Sequence, residues 1–163
     1  MFQEMRRKKQ MLSKEETIEI LKRGTSGVLA LLDEDGYPYA VPLSYVYCDS
    51  KIYFHGAKTG HKMDAIRNHA QASFCVIDQD QIVPEEYTTY FRSAIVFGKV
   101  RILEEESEIR SAIEKLAYKY TPNNEDGCQR EIAKGNKALC MIQLDVEHMT
   151  GKEAIELMRQ RKN

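Results

Sequence analysis

The apolar positions of the chain form short runs in its first half and helical spacings elsewhere. The run from Gly27 to Leu32 is too short for a buried helix and predicts a strand. Ser13 and Glu16 have the spacing of a capping box, which predicts that a first helix begins there and ends at Gly24. Apolar residues at helical spacing predict a further helix over residues 104–120.

The complete pattern predicts an α+β protein built around a small antiparallel barrel of about six strands. Tight-turn signals such as Asp35-Gly36 join successive strands, which favours antiparallel pairing. We expect one domain over residues 1–163, with residues 1–12 as an N-terminal arm. The predicted order is a helix over 13–24, strands over 27–32, 37–47 and 51–55, a helix over 61–69, strands over 72–77 and 90–103, a helix over 104–120, a strand over 138–146 and a C-terminal helix over 152–161.

Three details of this pattern concern the segments between and inside the elements. Residues 78–87 are polar and predict a loop, and residues 123–137 predict a second loop with one helical turn at 130–134. Pro42 lies inside the strand predicted over 37–47. Because proline has no amide hydrogen to donate, Pro42 indicates an edge strand, a bulge, or a place where something other than a neighbouring strand approaches.

Composition and charge exclude several classes of partner. The 163 residues carry a formal net charge of −1, which gives no overall field for nucleic acid or acidic lipid. No apolar run approaches the ~20 residues of a membrane span, and no secretory signal follows the basic start. The four cysteines form no C-x-x-C pair, so we expect reduced thiols in a cytoplasmic protein, with Cys75 and Cys140 in the core.

The segment Lys58-Thr59-Gly60-His61-Lys62 carries the clearest chemical signal. It lies at a predicted strand-to-helix junction, where free amide hydrogens and the helix dipole favour an anion. Gly60 allows close backbone approach, the lysines add positive charge and Thr59 adds a donor. These residues predict a phosphate site; the alternative is a polar turn with solvated lysines. The P-loop and G-x-G-x-x-G spacings are both absent.

The histidines and cysteines of the chain suggest two other kinds of site, a metal site and a nucleophile pair. His55, His61 and His69 have no H-E-x-x-H spacing and no cysteine or carboxylate at the usual ligand intervals, so no metal site is expected. A cysteine–histidine nucleophile pair stays open, because nothing in the sequence selects one of the cysteines.

Six motifs follow one another along the chain: Arg23–Ala30, Gly36–Leu43, Tyr53–Ala57, Gly60-His61-Lys62, Arg67-Asn68 and Phe91–Val100. In this order they resemble the FMN-binding split-barrel family of pyridoxamine 5′-phosphate oxidase-like proteins, and in particular its nitroimidazole-resistance branch. The similarity extends from about Ser13 to Val146.

The resemblance implies a homodimer with FMN sites at the subunit interface and assigns residues to those sites. The backbone of Ala40, Val41, Pro42 and Leu43 would line the isoalloxazine ring, and His55 would lie beside it as the catalytic residue. Gly60, His61 and Lys62, with Lys58 and Thr59, would hold the FMN phosphate. Arg92 and Ser93 would reach the ring or the ribityl chain from the same or the second protomer.

The function implied is an FMN-dependent oxidoreductase that reduces small aromatic or nitro compounds. In pyridoxamine 5′-phosphate oxidases proper, Ser-Arg-Lys stands where this chain has Gly60-His61-Lys62. The chain also has no tryptophan and no counterpart of their C-terminal substrate signature, which argues against vitamin B6 oxidation. The alternative is a non-catalytic flavin- or haem-binding or redox-sensing protein with His55 or His61 as a haem ligand, and a deazaflavin could replace FMN.

Overall fold

A computed structural model describes residues 1–135 and 139–162 of the chain. These residues form five helices and an antiparallel sheet of seven strands, which confirms the predicted α+β class. The helices are α1 (Lys14–Arg23), α2 (His61–Asn68), α3 (Glu106–Tyr120), α4 (Glu125–Lys134) and α5 (Ile155–Lys162). The strands are β1 (Ser26–Leu32), β2 (Pro38–Ser44), β3 (Val46–Cys48), β4 (Lys51–Ala57), β5 (Gln71–Val83), β6 (Thr88–Ile102) and β7 (Leu139–Glu153).

The sheet has the order β2-β1-β5-β6-β7-β4-β3 and is not closed, since β2 and β3 are its two edges. Its concave side packs around a core that includes Leu29, Phe54, Phe74 and Ile142, all fully buried. Helix α3 covers the outer side of the β3–β4–β7 part through a second apolar cluster that contains Leu116 and Met141. The fold therefore has one barrel-like core and one helical layer outside it.

The first helix begins and ends as predicted. Ser13 Oγ accepts a hydrogen bond from the Glu16 amide at 3.1 Å, and Glu16 Oε2 accepts one from the Ser13 amide at 2.8 Å. This capping box is worth about 1 kcal/mol to the helix. Ile20 and Leu21 are fully buried on its inner face, and the Gly24 amide closes its last turn on Ile20 O.

The strand predicted over residues 37–47 is instead two strands that belong to opposite edges of the sheet. β2 pairs with β1, β3 pairs with β4, and Tyr45 between them is fully buried. The Tyr45 amide donates to Tyr120 Oη at 3.1 Å, and Tyr45 O accepts from Lys119 Nζ at 3.0 Å. Because α3 satisfies these backbone groups, the chain can leave one edge of the sheet and join the other. Pro42 lies on β2, an edge strand, which is one of the three alternatives that the sequence left open.

Three other predicted boundaries are wrong. Residues 78–83 continue β5 and pair with β6 in a two-stranded ribbon, which is polar because much of it is exposed. The region predicted as a loop over 123–137 contains α4, whose N-cap Asn124 accepts from the Gly127 amide at 3.0 Å. The last strand runs to Glu153, so the C-terminal helix begins at Ile155 rather than at residue 152. Residues 136–138, which include the predicted first residue of that strand, lie outside the described residues.

Candidate functional site

The sheet has an opening between β2 and β4. The β3–β4 ladder ends at the pair Val46 and Tyr53, after which β4 pairs only with β7. On the other side, β2 pairs only with β1, although β2 and β4 are in contact. Each of these two strands therefore has an edge with backbone groups that no neighbouring strand uses, and such groups can bind a planar polar molecule.

The four predicted ring-binding residues lie on the β2 edge of this opening. Val41 and Leu43 are half-buried against the core, whereas Ala40 and Pro42 are exposed. This alternation follows from the period of a strand, in which successive side chains point to opposite faces. The edge thus offers backbone carbonyls and amides except at Pro42, which has no amide hydrogen.

His55 lies on the other side of the opening, on the part of β4 that has lost its β3 partner. Its neighbour Phe54 is fully buried, so the exposed His55 side chain points away from the core. Within residues 1–135 and 139–162, no side chain or backbone group forms a hydrogen bond with the His55 ring. The imidazole is therefore free to donate to, or accept from, a bound molecule.

The predicted phosphate segment follows directly, at the N-terminus of α2. Gly60 is the N-cap, has φ +116°, and gives the helix no side-chain cap. Its carbonyl accepts from the Met63 amide at 2.9 Å and from the Asp64 amide at 3.1 Å. In the described part of the chain, the amides of His61 and Lys62 have no acceptor, as is usual for the first turn of a helix.

The surroundings of this helix start fit a phosphate group. A Cβ built on Gly60 would meet no atom within 4 Å, so the space beside the N-cap is open. Lys58 and Lys62 form no ion pair with any carboxylate among the described residues, whereas Arg67 pairs with Asp64 at 3.2 Å. The Lys62 ammonium passes over Gly56, where an added Cβ would lie 3.1 Å from Nζ. Within the described residues, the start of α2 thus combines two amides that have no acceptor with two lysines that form no ion pair, and Thr59 beside them in sequence is exposed.

The His61 ring is held by residues that the sequence did not indicate. Its Nε2 lies 3.4 Å from Asp33 Oδ2, and its ring stacks on Tyr39 with centroids 4.1 Å apart. Asp33 begins the turn between β1 and β2, and Tyr39 is on β2. The contacts join residues more than twenty positions apart, and no local motif signals them.

Arg92 and Ser93 lie on β6, apart from this segment in the hydrogen-bond network. Arg92 Nε and Nη2 both bind Glu153 Oε2 at 3.3 Å, and Nη1 binds Asp78 Oδ2 at 3.3 Å. Ser93 is half-buried and pairs across the ladder with Lys152. The other predicted residues lie at the opening or at the start of α2. Arg92 differs from them, because its guanidinium already binds two carboxylates of the same chain.

Arg92 belongs to a charge-balanced network of six side chains. Asp78 also binds Arg23 through two hydrogen bonds of 2.6 and 2.7 Å, and Glu153 also binds Arg161. The Arg23 guanidinium, followed by that of Arg92, holds the pKa of the Asp78 carboxyl below its usual range. The members are Arg23, Arg92, Arg161, Glu16, Asp78 and Glu153.

The convex face of β1, β5 and β6 is apolar and open. Val28, Cys75 and Ile95 lie in one row across these strands, and Phe97 is two residues along. Val28, Ile95 and Phe97 are 37%, 40% and 37% exposed, so much of this face is open, although Phe2 packs on Phe97 with ring centroids 5.5 Å apart. Cys75 is thus half-buried rather than in the core as predicted, whereas Cys140 is buried as predicted.

A cavity of about 980 Å³ lies elsewhere, between α3 and α4. Ile109, Ile113, Ile132 and Leu139 give it apolar walls, and none of the predicted site residues lines it. Charged side chains such as Arg110, Arg130 and Lys134 also line it. Because the predicted site residues lie elsewhere, we do not assign the predicted site to it.

The described ranges contain neither a metal-binding cluster nor a helix that could span a membrane. No group of three or more histidine, cysteine, aspartate or glutamate side chains there could hold a metal ion. No helix formed by those residues is both long enough and apolar enough to cross a membrane. All four cysteines are free thiols.

Comparison with known proteins places the chain in a structural context. Residues 13–153 match the family model described as pyridoxamine 5′-phosphate oxidase. No curated protein matches the chain by sequence. A putative 5-nitroimidazole antibiotic resistance protein from Bacteroides thetaiotaomicron has a similar fold, with a TM-score of 0.72 and 21% identity over 88% of this chain and 86% of that one.

Two mycobacterial structures are similar over still more of the chain. A conserved hypothetical protein from Mycobacterium tuberculosis has a TM-score of 0.80 and 18% identity, over 94% of this chain and 92% of its own. The FAD and heme binding protein from Mycobacterium smegmatis has a TM-score of 0.72 and 19% identity, over 95% of this chain and 80% of its own. At these identities, the likeness shows a shared fold.

Proposed function

The chain belongs to the pyridoxamine 5′-phosphate oxidase family, and on that premise we propose that it is an FMN-dependent oxidoreductase that reduces small aromatic or nitro compounds. The observation that carries this proposal is the continuous segment from β4 into α2. It presents the exposed His55, then two lysines and two amides that have no partner among the described residues, beside an opening between strand edges. A flat ring with a phosphate tail matches that order of groups.

The residues at the opening would hold the two ends of the cofactor differently. The backbone of Ala40–Leu43 would bind the polar edge of the ring through hydrogen bonds that no strand takes. Lys58, Thr59, Gly60, His61 and Lys62 would bind the phosphate through amides, a hydroxyl and positive charge. When bound, FMN would supply the electron transfer, and the protein would supply orientation and the pocket.

His55 is the proposed catalytic residue. Its ring is exposed at the opening, and it has no partner among the described residues that would have to be displaced. Reduction of a nitro or aromatic compound consumes protons, and a histidine can donate one near neutral pH. The same ring could instead orient the substrate by a hydrogen bond, with the proton taken from water.

A homodimer would complete the site. The convex face of β1, β5 and β6 exposes the apolar side chains of Val28, Ile95 and Phe97, and a second copy would cover them. Ser93 lies on this face, two residues from Ile95, and would approach the partner's cofactor. Arg92 would contact that cofactor only through guanidinium hydrogens that Asp78 and Glu153 do not already bind.

The dimer can be tested with one substitution on the proposed interface. We expect Ile95→Asp to convert the protein to a monomer in light scattering after size-exclusion chromatography, because it buries a charge. Tyr37→Asp is the matched control: Tyr37 is also a large exposed side chain, 71% accessible, but lies in the β1–β2 turn. A dimeric Ile95→Asp variant would exclude this face.

A non-catalytic flavin- or haem-binding or redox-sensing protein is the second candidate. The observation that favours it is again the unpartnered His55, because an axial haem ligand needs a free ring nitrogen. His61 is less suited, since Asp33 and Tyr39 already contact its ring. A protein known to bind both FAD and heme shares the fold. The four free thiols fit a reducing compartment, and we propose a cytoplasmic location.

The first experiment is an absorption spectrum of the purified protein, before and after addition of FMN, FAD or haem. Flavin bands support the enzyme proposal and justify a screen of reductants with nitro acceptors, whereas a Soret band favours haem. Titration of FMN into Lys62→Ala should give an affinity about ten- to a hundredfold weaker than wild type, the value of one charged hydrogen bond. Lys22→Ala, on the exposed side of α1, is the control. Equal affinities for both variants would remove Lys62 from the site.

A further inference from the structure

The turn between β1 and β2 is fastened to α2 at both ends of that helix. At the N-terminal end, Asp33 Oδ2 lies 3.4 Å from His61 Nε2, and Tyr39 stacks on the same ring. At the C-terminal end, Asn68 Nδ2 donates to Glu34 Oε1 at 2.8 Å. These contacts connect the strand on one side of the opening with the helix on the other.

This connection matters because no hydrogen-bonded ladder joins the two sides of the opening. β2 would bind the ring and α2 would bind the phosphate, but β2 is paired only with β1 and β4 only with β7 beyond Tyr53. The buried Met63, Ala65 and Ile66 fix α2 on the core, and Met63 lies in the first turn. His61 precedes these residues, and its contacts with Asp33 and Tyr39 add a direct link from the first residue of the helix to the β1–β2 hairpin.

We infer that Asp33 is a positioning residue for the cofactor site. Together with Tyr39 it contacts the His61 ring and so holds the first turn of α2 at a fixed position relative to the β2 edge. The inference rests on the proposed flavin-binding function. Asp33 itself touches neither the free amides nor the lysines; it acts on the site through the His61 ring.

The two oxygens of Asp33 have separate tasks, which makes the inference testable. Oδ1 accepts a hydrogen bond from the Tyr37 amide at 2.7 Å and so holds the turn, while Oδ2 faces His61. The side chain is only 13% exposed, so its orientation is fixed by its surroundings. Asp33→Asn keeps an oxygen for Tyr37 and removes the charge opposite His61.

The experiment is a double-mutant cycle on FMN affinity, with wild type, Asp33→Asn, His61→Ala and the double variant. We expect Asp33→Asn to weaken FMN binding about two- to fivefold, the low end of what one polar contact contributes. In the His61→Ala background, the same substitution should have no further effect. Glu34→Gln is the matched control, because it removes a carboxylate from the same turn but keeps an acceptor for Asn68. It should bind FMN like wild type.

Hydrogen exchange of the FMN-free protein gives a second readout. We expect Asp33→Asn to speed exchange of the Met63 and Asp64 amides, which close the first turn, and to leave the β1 amides unchanged. Equal FMN affinity and equal exchange in wild type and Asp33→Asn would overturn the inference. An equal loss of affinity in both backgrounds would also overturn it, since Asp33 would then act without His61. If wild type binds no flavin, the proposed function fails, and the exchange data alone decide whether Asp33 positions the turn.

Discussion

Arg92→Ala should destabilise the fold far more than its exposure suggests. Arg92 carries three hydrogen bonds of 3.3 Å to two carboxylates that solvent barely reaches: the Glu153 side chain is 1% exposed and that of Asp78 is 10% exposed. Its removal leaves these acids with one arginine each and gives the six-residue network a net charge of −1. A buried carboxylate that loses a cation is costly because water cannot replace the partner.

The loss in the free energy of unfolding that we expect for Arg92→Ala lies between two limits. A fully uncompensated buried charge costs about 3–5 kcal/mol, and one hydrogen bond to a charged group is worth about 1.5–3 kcal/mol. Since Arg161 and Arg23 remain as partners of Glu153 and Asp78, we expect a loss of about 2–3 kcal/mol in the free energy of unfolding. With a urea m-value of about 2 kcal/mol/M, the unfolding midpoint should fall by about 1–1.5 M.

The assay is urea unfolding of the FMN-free protein, followed by circular dichroism. Arg110→Ala is the matched control, because Arg110 also binds one carboxylate, Glu114, at 3.2 Å, but its side chain is 66% exposed on α3. That substitution should cost about 0.5 kcal/mol or less. If the two variants unfold at the same urea concentration, the network does not stabilise the fold as argued. Loss of FMN by Arg92→Ala at unchanged stability would instead identify Arg92 as a direct cofactor ligand.

Three further outcomes follow from the same structure. His55→Ala should keep its FMN affinity but lose about a hundredfold or more in turnover if the ring is a general acid; loss of FMN would contradict this role. Gly98→Ala should lower the unfolding free energy by about 1–3 kcal/mol, since a Cβ there would overlap the Asp145 carbonyl oxygen, and an unchanged midpoint would refute that close approach. Arg23 chiefly holds the pKa of Asp78 low in the folded chain, so as the pH falls the unfolded chain binds a proton near pH 3.8 before the folded chain does. The free energy of unfolding should therefore fall as the pH drops from about 4 through the lower pKa that Asp78 has in the folded state. The urea midpoint of Asp78→Asn should change less between pH 3 and pH 6 than that of wild type. An equal change in both proteins would argue against this role of Asp78.

The parts of the site that could be predicted are those whose chemistry is local. Lys58 to Lys62 lie within five consecutive residues at a strand-to-helix junction, so their character follows from sequence order alone. His55 is three residues upstream of Lys58, on the strand that leads into this segment. The edge position of Pro42 was predictable as one of three alternatives, because the missing amide hydrogen of proline also fits a bulge or a place where no neighbouring strand approaches.

The parts that could not be predicted depend on contacts between distant residues. The chain between Tyr37 and Tyr47 alternates like one strand, and only Lys119 and Tyr120, about 75 residues later, show that it breaks at Tyr45. The β5–β6 ribbon was missed for a related reason. A pattern of alternating burial reveals a strand only when one face is covered, and this ribbon is exposed on much of both faces.

The break at Tyr45 is also what makes the proposed site possible. In a closed barrel, neighbouring strands would use every backbone group of β2 and β4, and no edge would remain for a ring. Here Lys119 and Tyr120 bind the backbone of Tyr45, so β2 is released from β4 and an opening remains. Burial lowers the pKa of Lys119 to about 8, so at neutral pH its amine still largely carries the proton that it donates to Tyr45 O. Helix α3 is thus a determinant of the opening although it contributes none of the proposed site residues. A search for site residues by motif alone would overlook it.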